Sequence, residues 1–242
     1  MTEPFFIVAR ERGQSGALLP TWSDRGPMPI DFDDEPEPVR RVDVPDVPGT
    51  FQLSGLLCAR EARQWVEIAE RLGFHADAPL QQPSYLRRNQ NLNWVVSDRI
   101  VDRLWARAAP CVLETVGGAR PLGLNARFRF YRYGEGDFFM RHHDVAWPGS
   151  RVVDGALLED VDPSVRSHYT FIVALNDDFD GGATRFEVGR DGVRTVDVRT
   201  PMGSALCFPH GNHPDRCVHA STPITRGCKY IIRTDLLFGA CS

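Results

Sequence analysis

The chain has 242 residues, 42% of them hydrophobic, and a formal net charge of -4, which is enough apolar material to bury one substantial core. The charge is uneven: residues 1–50 hold ten Asp/Glu against five Arg, leaving 22 acids against 23 bases in the rest. A body this close to neutral lacks the basic stripe that neutralises nucleic-acid phosphates, so no nucleic-acid partner is implied.

The first residues, "MTEPFFIVAR", carry an acid where a signal peptide has a cationic flank. No run of about 18 apolar residues occurs anywhere, so the expectation is a soluble cytoplasmic protein without a membrane partner. Six cysteines (58, 111, 207, 217, 228, 241) lie at irregular spacing, which favours reduced thiols over a disulfide framework. Of 28 basic residues 27 are Arg, and only Lys229 is Lys. A compact ammonium is not interchangeable with a planar guanidinium, so this position is a candidate for a specific role.

Residues 1–48 are acidic and proline-rich, with the run "DFDDEPEP", and read as an extended or partly ordered arm before a single domain over 49–242. A short strand, "GTFQLSG", is expected next. The stretch "CAREARQWVEIAERLGF" is then helical: Ala62, Trp65, Val66, Ile68, Ala69 and Leu72 share one face, and Gly73 is a stop signal. A second helix is predicted over 97–116, capped by Ser97 and buried through Ile100, Val101, Leu104, Trp105 and Ala108, with Pro110 able to kink or end it. These helices form a support over 56–118.

From Leu124 to Phe238 the pattern changes to short strands punctuated by Gly, Pro and Asp: "NARFRFYRY", "HYTFIVALN", "GGATRFEV", "RTVDVR", "GSALCF" and "CKYIIRTDLLF". Such runs predict an antiparallel barrel or jelly roll. The fold class is therefore mainly β with α, two helices packing outside a β-core over 124–238. Between Asp144 and Thr170 lies an irregular stretch too long for a tight turn. A loop of that length beside a site is typically a lid or substrate element, and its Trp147 either contacts substrate or plugs the loop onto the core.

The stretch "FFMRHHD" (138–144) carries the chemistry. Two histidines and a carboxylate suit a non-haem Fe(II) site with open positions. On an extended segment side chains alternate, so His142 and Asp144 share a face and His143 points away unless the chain turns sharply. A third ligand must come from elsewhere. His219 in "CVHAS" is a candidate, and His168, His210 and His213 compete on chemistry alone. A rival reading takes Cys207, His210, His213 and Cys217 as a zinc cluster in a non-catalytic binding scaffold, although Cys207 sits in a strand-like run and reads as core.

Three segments carry a resemblance. "YGEGDFFMRHHD", "HYTFIVALNDDFDGGATRF" and "HASTPITRGCKYIIRTDLLF" occur in the order found in the prolyl 4-hydroxylase α-subunit-like branch of the Fe(II)/2-oxoglutarate-dependent dioxygenases. The resemblance spans 125–238 and implies a double-stranded β-helix, a cupin-like jelly roll, carried by N-terminal helices. It makes His142, Asp144 and His219 the iron ligands. Lys229, ten residues after His219, falls where the family places the cation for the distal carboxylate of 2-oxoglutarate. Tyr133 matches a tyrosine lining that pocket, and Thr170 matches a small polar residue able to bond a co-substrate carboxylate. One departure is Ala220-Ser221, where the family commonly has a glycine.

Arg233 competes with Lys229, since it shares strand parity and other branches anchor the co-substrate with an arginine on this strand. Four residues at about 3.3 Å separate the two by roughly 13 Å, too far to hold one carboxylate together; Lys229 is preferred, and Arg233 is given a structural role. If Tyr133 faces the pocket, Tyr131 and Arg129 share its face and become substrate candidates. Arg127 and Arg129 also read as a solvated strand face paired with acids. Phe139 is expected as a wall beside the iron and Phe138 as core.

The implied chemistry is oxidative decarboxylation of 2-oxoglutarate with O2 to succinate and CO2, coupled to hydroxylation of an unactivated C–H bond and supported by ascorbate. The carboxylate at Asp144 favours hydroxylation over halogenation. The resemblance leaves the substrate open among a peptidyl residue, a free amino acid and a small metabolite, and it leaves the oligomeric state open.

Overall fold

The computed structural model describes residues 4–78, 86–112, 115–189 and 194–240. The chain opens with strands β1 (Phe5–Arg12) and β2 (Leu18–Asp24), followed by β3 (Arg40–Asp43) and β4 (Phe51–Ser54). Helix α1 (Ala59–Leu72) leads to β5 (Arg87–Arg88) and β6 (Gln90–Val95), and helix α2 (Asp98–Ala108) to β7 (Ala119–Leu124), β8 (Arg127–Tyr133) and β9 (Phe138–His142). A hairpin, β10 (Ser150–Val153) and β11 (Ala156–Glu159), precedes β12 (Arg166–Ala174), β13 (Asp180–Gly181), β14 (Thr184–Val188) and β15 (Arg194–Val198). The chain closes with β16 (Ala205–Pro209), β17 (His219–Ser221), β18 (Ile224–Arg226) and the long β19 (Lys229–Ala240).

Two sheets carry the architecture. The larger runs β1-β2-β6-β8-β19-β12-β16-β4-β3, with β7 also on β19; the smaller runs β15-β14-β17-β9-β5. Their hydrogen bonding is not continuous, so the expected barrel is an open pair of sheets. Alternation along β8 explains what each face does. Phe128 and Phe130 point toward α1, where their rings lie 5.9 and 5.8 Å from Trp65, and Trp94 of β6 stacks on Phe130 at 5.9 Å. That aromatic layer joins helix to sheet, and it turns Arg129, Tyr131 and Tyr133 to the opposite face.

Three sequence expectations need correction. The N-terminal segment is not an arm outside the domain, extended or partly ordered: β1 and β2 form a hairpin, and β2 runs parallel to β6 in the large sheet. The anchors are polar, which is why hydropathy does not reveal them. Asp24 accepts hydrogen bonds from Trp94 Nε1 at 2.9 Å and the Ser97 amide at 2.8 Å, and Ser23 donates to the Val95 carbonyl.

Helix α2 stops at Ala108 and passes into a single 3₁₀ turn, Ala109–Cys111, short of the predicted 116, because Pro110 has no amide to continue the ladder. The stretch between Asp144 and Thr170 is not irregular throughout, since it contains the β10–β11 hairpin.

The two helices are clipped together by a buried charge pair. Glu61 is completely buried; its carboxylate accepts from Arg107 of α2 at 2.9 Å and from the Cys58 and Asp33 amides. Glu61 thus caps α1 and ties both helices to the N-terminal segment. No helix among the described residues is long and apolar enough to cross a membrane.

Candidate active site

The site lies between the two sheets. In the smaller one β17 pairs with β9 so that His219 faces His142 directly, and their rings approach to 4.3 Å between centroids. Asp144 follows His142 by two residues. One carboxylate oxygen lies 3.6 Å from His142 Nε2 and the other 3.6 Å from His219 Nε2. One ligand atom from each of the three residues falls within 4.8 Å of the others. The period-two choice of His142 over His143 is what the geometry shows.

The donor set fits a divalent iron. His142 Nδ1 contacts the Met140 carbonyl at 2.7 Å and His219 Nδ1 the Cys217 carbonyl at 3.5 Å, which leaves both Nε2 lone pairs aimed at the centre. Burial holds the His219 imidazole neutral down to about 3 and lowers His142 as well. Burial alone would raise the Asp144 carboxyl, but Arg233, His219 and His142 outweigh it and keep the group ionised, well below the usual carboxylate range. Two neutral imidazoles and one carboxylate are a facial triad's ligands. Phe139 stacks on His142 at 3.7 Å and 14°, which sets that ring's plane.

A pocket runs from this cluster along β8 and β19, lined by Tyr131, Tyr133, Phe139, Ile231 and Lys229 among others. Lys229 and Tyr133 are register partners, and the ammonium lies 5.6 Å from the Tyr133 ring and 6.0 Å from Phe179. Its hydrogen bond goes to the Gly182 carbonyl at 2.6 Å; among the described residues no carboxylate pairs with it. Burial, assisted by Arg199, lowers its pKa to about 8. A buried ammonium with no counter-ion, at the far end of a pocket that begins at a metal triad, is built to receive an anion. Gly182 is needed here, since at φ +65° an added Cβ would meet Ile224 Cδ1 at 2.4 Å and Lys229 Cδ at 3.2 Å.

The 2OG-Fe(II) oxygenase superfamily profile matches residues 128–234, which contain all three ligands and Lys229. Over these residues, a little under half of the chain, the sequence is similar to the 2OG-Fe(II) oxygenases, which supports a dioxygenase. Fe(II), 2-oxoglutarate and O2 are therefore its cofactors.

Solved structures share the oxygenase's fold. A viral collagen prolyl hydroxylase from Paramecium Bursaria Chlorella virus-1, in complex with 2OG, aligns with a TM-score of 0.52 at 14% identity, over 79% of this chain and 96% of that one. A Pseudomonas putida prolyl-4-hydroxylase aligns with 0.51 at 20%, over 80% and 94%. A Trichoplax adhaerens prolyl hydroxylase, in complex with a hypoxia inducible factor peptide fragment, aligns with 0.51 at 16%, over 82% of each. Comparison with curated proteins finds no match.

Within the oxygenase, Arg233 takes a different place from Lys229. Its Nη2 lies 3.4 Å from Asp144 Oδ2 and 3.1 Å from Asp235 Oδ1, so it braces the metal end of the pocket. Thr170 departs from its expected role. It is fully buried, donates to Asp144 Oδ2 at 2.6 Å and meets His210 Nδ1 at 2.8 Å; it orients a ligand and does not line the pocket.

Arg127 and Arg129 are not on a solvated face. Both are buried, Arg127 between Glu11 and Glu159 and Arg129 under the Trp147 ring at 4.2 Å. Tyr131 and Trp147 both line the pocket.

The zinc alternative fails on geometry. His210 gives both ring nitrogens to hydroxyls, Nε2 to Ser167 and Nδ1 to Thr170, each at 2.8 Å. Cys207 is completely buried in β16, where burial raises its thiol well above the ordinary range. Among the described residues the metal-competent cluster is His142, Asp144 and His219. The sequence offered His210 only as a competing ligand and did not single out Asp235; the two hold Thr170 and Arg233 behind the triad. The only available signal was strand parity, which places Asp235 on the same face as Lys229 and Arg233.

Proposed function

We propose that the protein hydroxylates an unactivated C–H bond in the manner of prolyl hydroxylases, converting 2-oxoglutarate and O2 to succinate and CO2. The observation that carries this reading is the pairing of a His-Asp-His triad with Lys229, which meets no carboxylate among the described residues, at the opposite end of one pocket. Bound at the triad, Fe(II) supplies the oxygen activation that no side chain here can provide. The chain's own residues do the rest. His142, Asp144 and His219 offer three ligands on one side, Lys229 takes the distal carboxylate of 2-oxoglutarate, and Tyr133 and Ile231 wall it from water.

Asp144 supports hydroxylation as the outcome, because its carboxylate occupies the ligand position that a halide would otherwise need. The substrate is a peptidyl residue, a free amino acid or a small metabolite, and ascorbate supports turnover by keeping iron reduced. The test is incubation with Fe(II), ascorbate and 2-oxoglutarate, measuring succinate. Wild type forms it, and His142→Ala and Lys229→Ala do not at low co-substrate. Absence of both 2-oxoglutarate binding and succinate in wild type would overturn the reading.

A further inference from the structure

Beside the metal pocket, and sharing Tyr131 and Trp147 with it, lies a chamber of about 420 Å³. Polar side chains reach into it from several elements: Asn91, Asn93 and Arg129 from β6 and β8, Glu11 from β1, and Glu159 from the β10–β11 hairpin. Its walls are held independently of any ligand. Asn125 accepts from the Ser150 amide at 3.0 Å and donates to the Pro148 carbonyl at 3.0 Å, while the Trp147 amide donates to Ser167 at 2.8 Å. Arg127 joins Glu11 and Glu159 at 2.5 and 2.7 Å, so β1 and the hairpin close over one end.

Two groups in this lining make no side-chain hydrogen bond among the described residues, although Arg129 lies against Asp235 and the Trp147 ring. The Arg129 guanidinium is 4% exposed and makes no hydrogen bond among the described residues. The nearest carboxylate, Asp235, stands 3.7 Å away and gives its other oxygen to Arg233 at 3.1 Å. Asn93, directly opposite Arg129 in the β6–β8 register, is 6% exposed, and its side-chain amide has no hydrogen bond among the described residues. Arg129 and Arg233 both approach Asp235, which accepts a hydrogen bond from Arg233 and leaves Arg129 Nη1 without one. A buried guanidinium in that position is costly unless an anion completes it.

We infer that this chamber binds the substrate, a free small carboxylic acid whose carboxylate is held by Arg129 and Asn93 beside Trp147 and whose remainder extends toward the metal triad. This assignment rests on the oxygenase reading for the reaction but not for the binding. The chamber is preformed and distinct from the Lys229 end, so the acid binds without turnover. Closure by β1 and the β10–β11 hairpin favours a free acid over a residue inside a polypeptide.

The test is calorimetric titration of the full chain, without added metal, using the free amino acids, their C-terminal carboxamides and acid-terminated dipeptides. At least one free acid binds, and its carboxamide binds at least ~30-fold more weakly, the factor for losing a charged hydrogen-bond partner. Arg129→Gln loses a similar factor, and Arg129→Lys recovers part of it. Asn93→Leu keeps every charge, fills the chamber and also weakens the acid, which guards against misfolding of the arginine variants.

Lys229→Ala weakens 2-oxoglutarate and not the acid, whereas Arg129→Gln does the reverse. Equal binding of acid and amide, preference for dipeptides, no binding by any free acid, or an Arg129→Gln variant that binds like wild type each overturn the inference. The oxygenase reading fails separately, by absence of Fe(II)-dependent succinate.

Discussion

Arg233 Nη2 lies 3.4 Å from Oδ2 of Asp144, on the same face of β19 as Lys229, which pairs with no carboxylate among the described residues. Two cations four residues apart on one strand thereby have different surroundings: Arg233 meets Asp144 and Asp235, whereas Lys229 meets the Gly182 carbonyl and the Tyr133 and Phe179 rings.

Lys229→Ala is therefore expected to weaken 2-oxoglutarate by a factor of ~10 to 100, equivalent to about 1.5–3 kcal/mol for a charge-assisted bond. Its affinity for the metal should stay close to that of wild type. Titrating Mn(II) and then 2-oxoglutarate into each protein checks this. A larger loss of 2-oxoglutarate affinity in Arg233→Ala than in Lys229→Ala would reverse the two assignments.

Thr170 holds one oxygen of Asp144 at 2.6 Å. Replacing it with Val keeps the shape and removes the hydroxyl, so the carboxylate loses its orienting bond and His210 loses a partner. Removal of such an outer contact typically costs ~10- to 100-fold in metal affinity. Competition with a metal-sensitive chelator reads this directly, and wild-type affinity in the Val variant would show that Thr170 does not orient Asp144.

Lys229 also sets a pH dependence. Its ammonium has a pKa lowered to about 8 by burial, against 10.5 ordinarily. The charged form receives the carboxylate, so 2-oxoglutarate affinity should be level below pH 8 and fall above it, and Lys229→Arg should remove the fall. Folding shows the opposite slope. Between pH 8 and 10.5 the unfolded chain holds more protons at this residue than the folded one, so its contribution to stability rises with pH. Denaturant titrations of wild type and Lys229→Met at pH 7 and 10.5 should show the difference shifting toward wild type at the higher pH.

The Glu61–Arg107 pair is 0% and 7% exposed at its side chains. Glu61→Ala leaves a buried guanidinium and two backbone amides without their acceptor, and about 3–5 kcal/mol of destabilisation is expected. Urea unfolding measures it. A loss below 1 kcal/mol would mean that water reaches the gap and that the clip is not structural.

The sequence by itself determined whatever follows from local periodicity and donor chemistry. Alternation chose His142 over His143, the three-four spacing gave α1 its buried face, and the single lysine stood out as a candidate that the structure places, buried, in the same pocket as the triad. These survive because side-chain direction within one strand or helix depends only on the backbone of that element.

The tertiary structure decided the rest. The β1–β2 hairpin stayed hidden because its anchors, Ser23 and Asp24, are polar groups satisfied by partners about seventy residues away. Arg127 and Arg129 looked like solvated charges until Glu11, Glu159 and Trp147 closed over them. Thr170 could face a co-substrate or a ligand from sequence alone; the register of β12 between β16 and β19 set it against Asp144 and His210. Burial and pairing are properties of neighbours brought from distant sequence, and a polar side chain's role depends on which of those neighbours it meets.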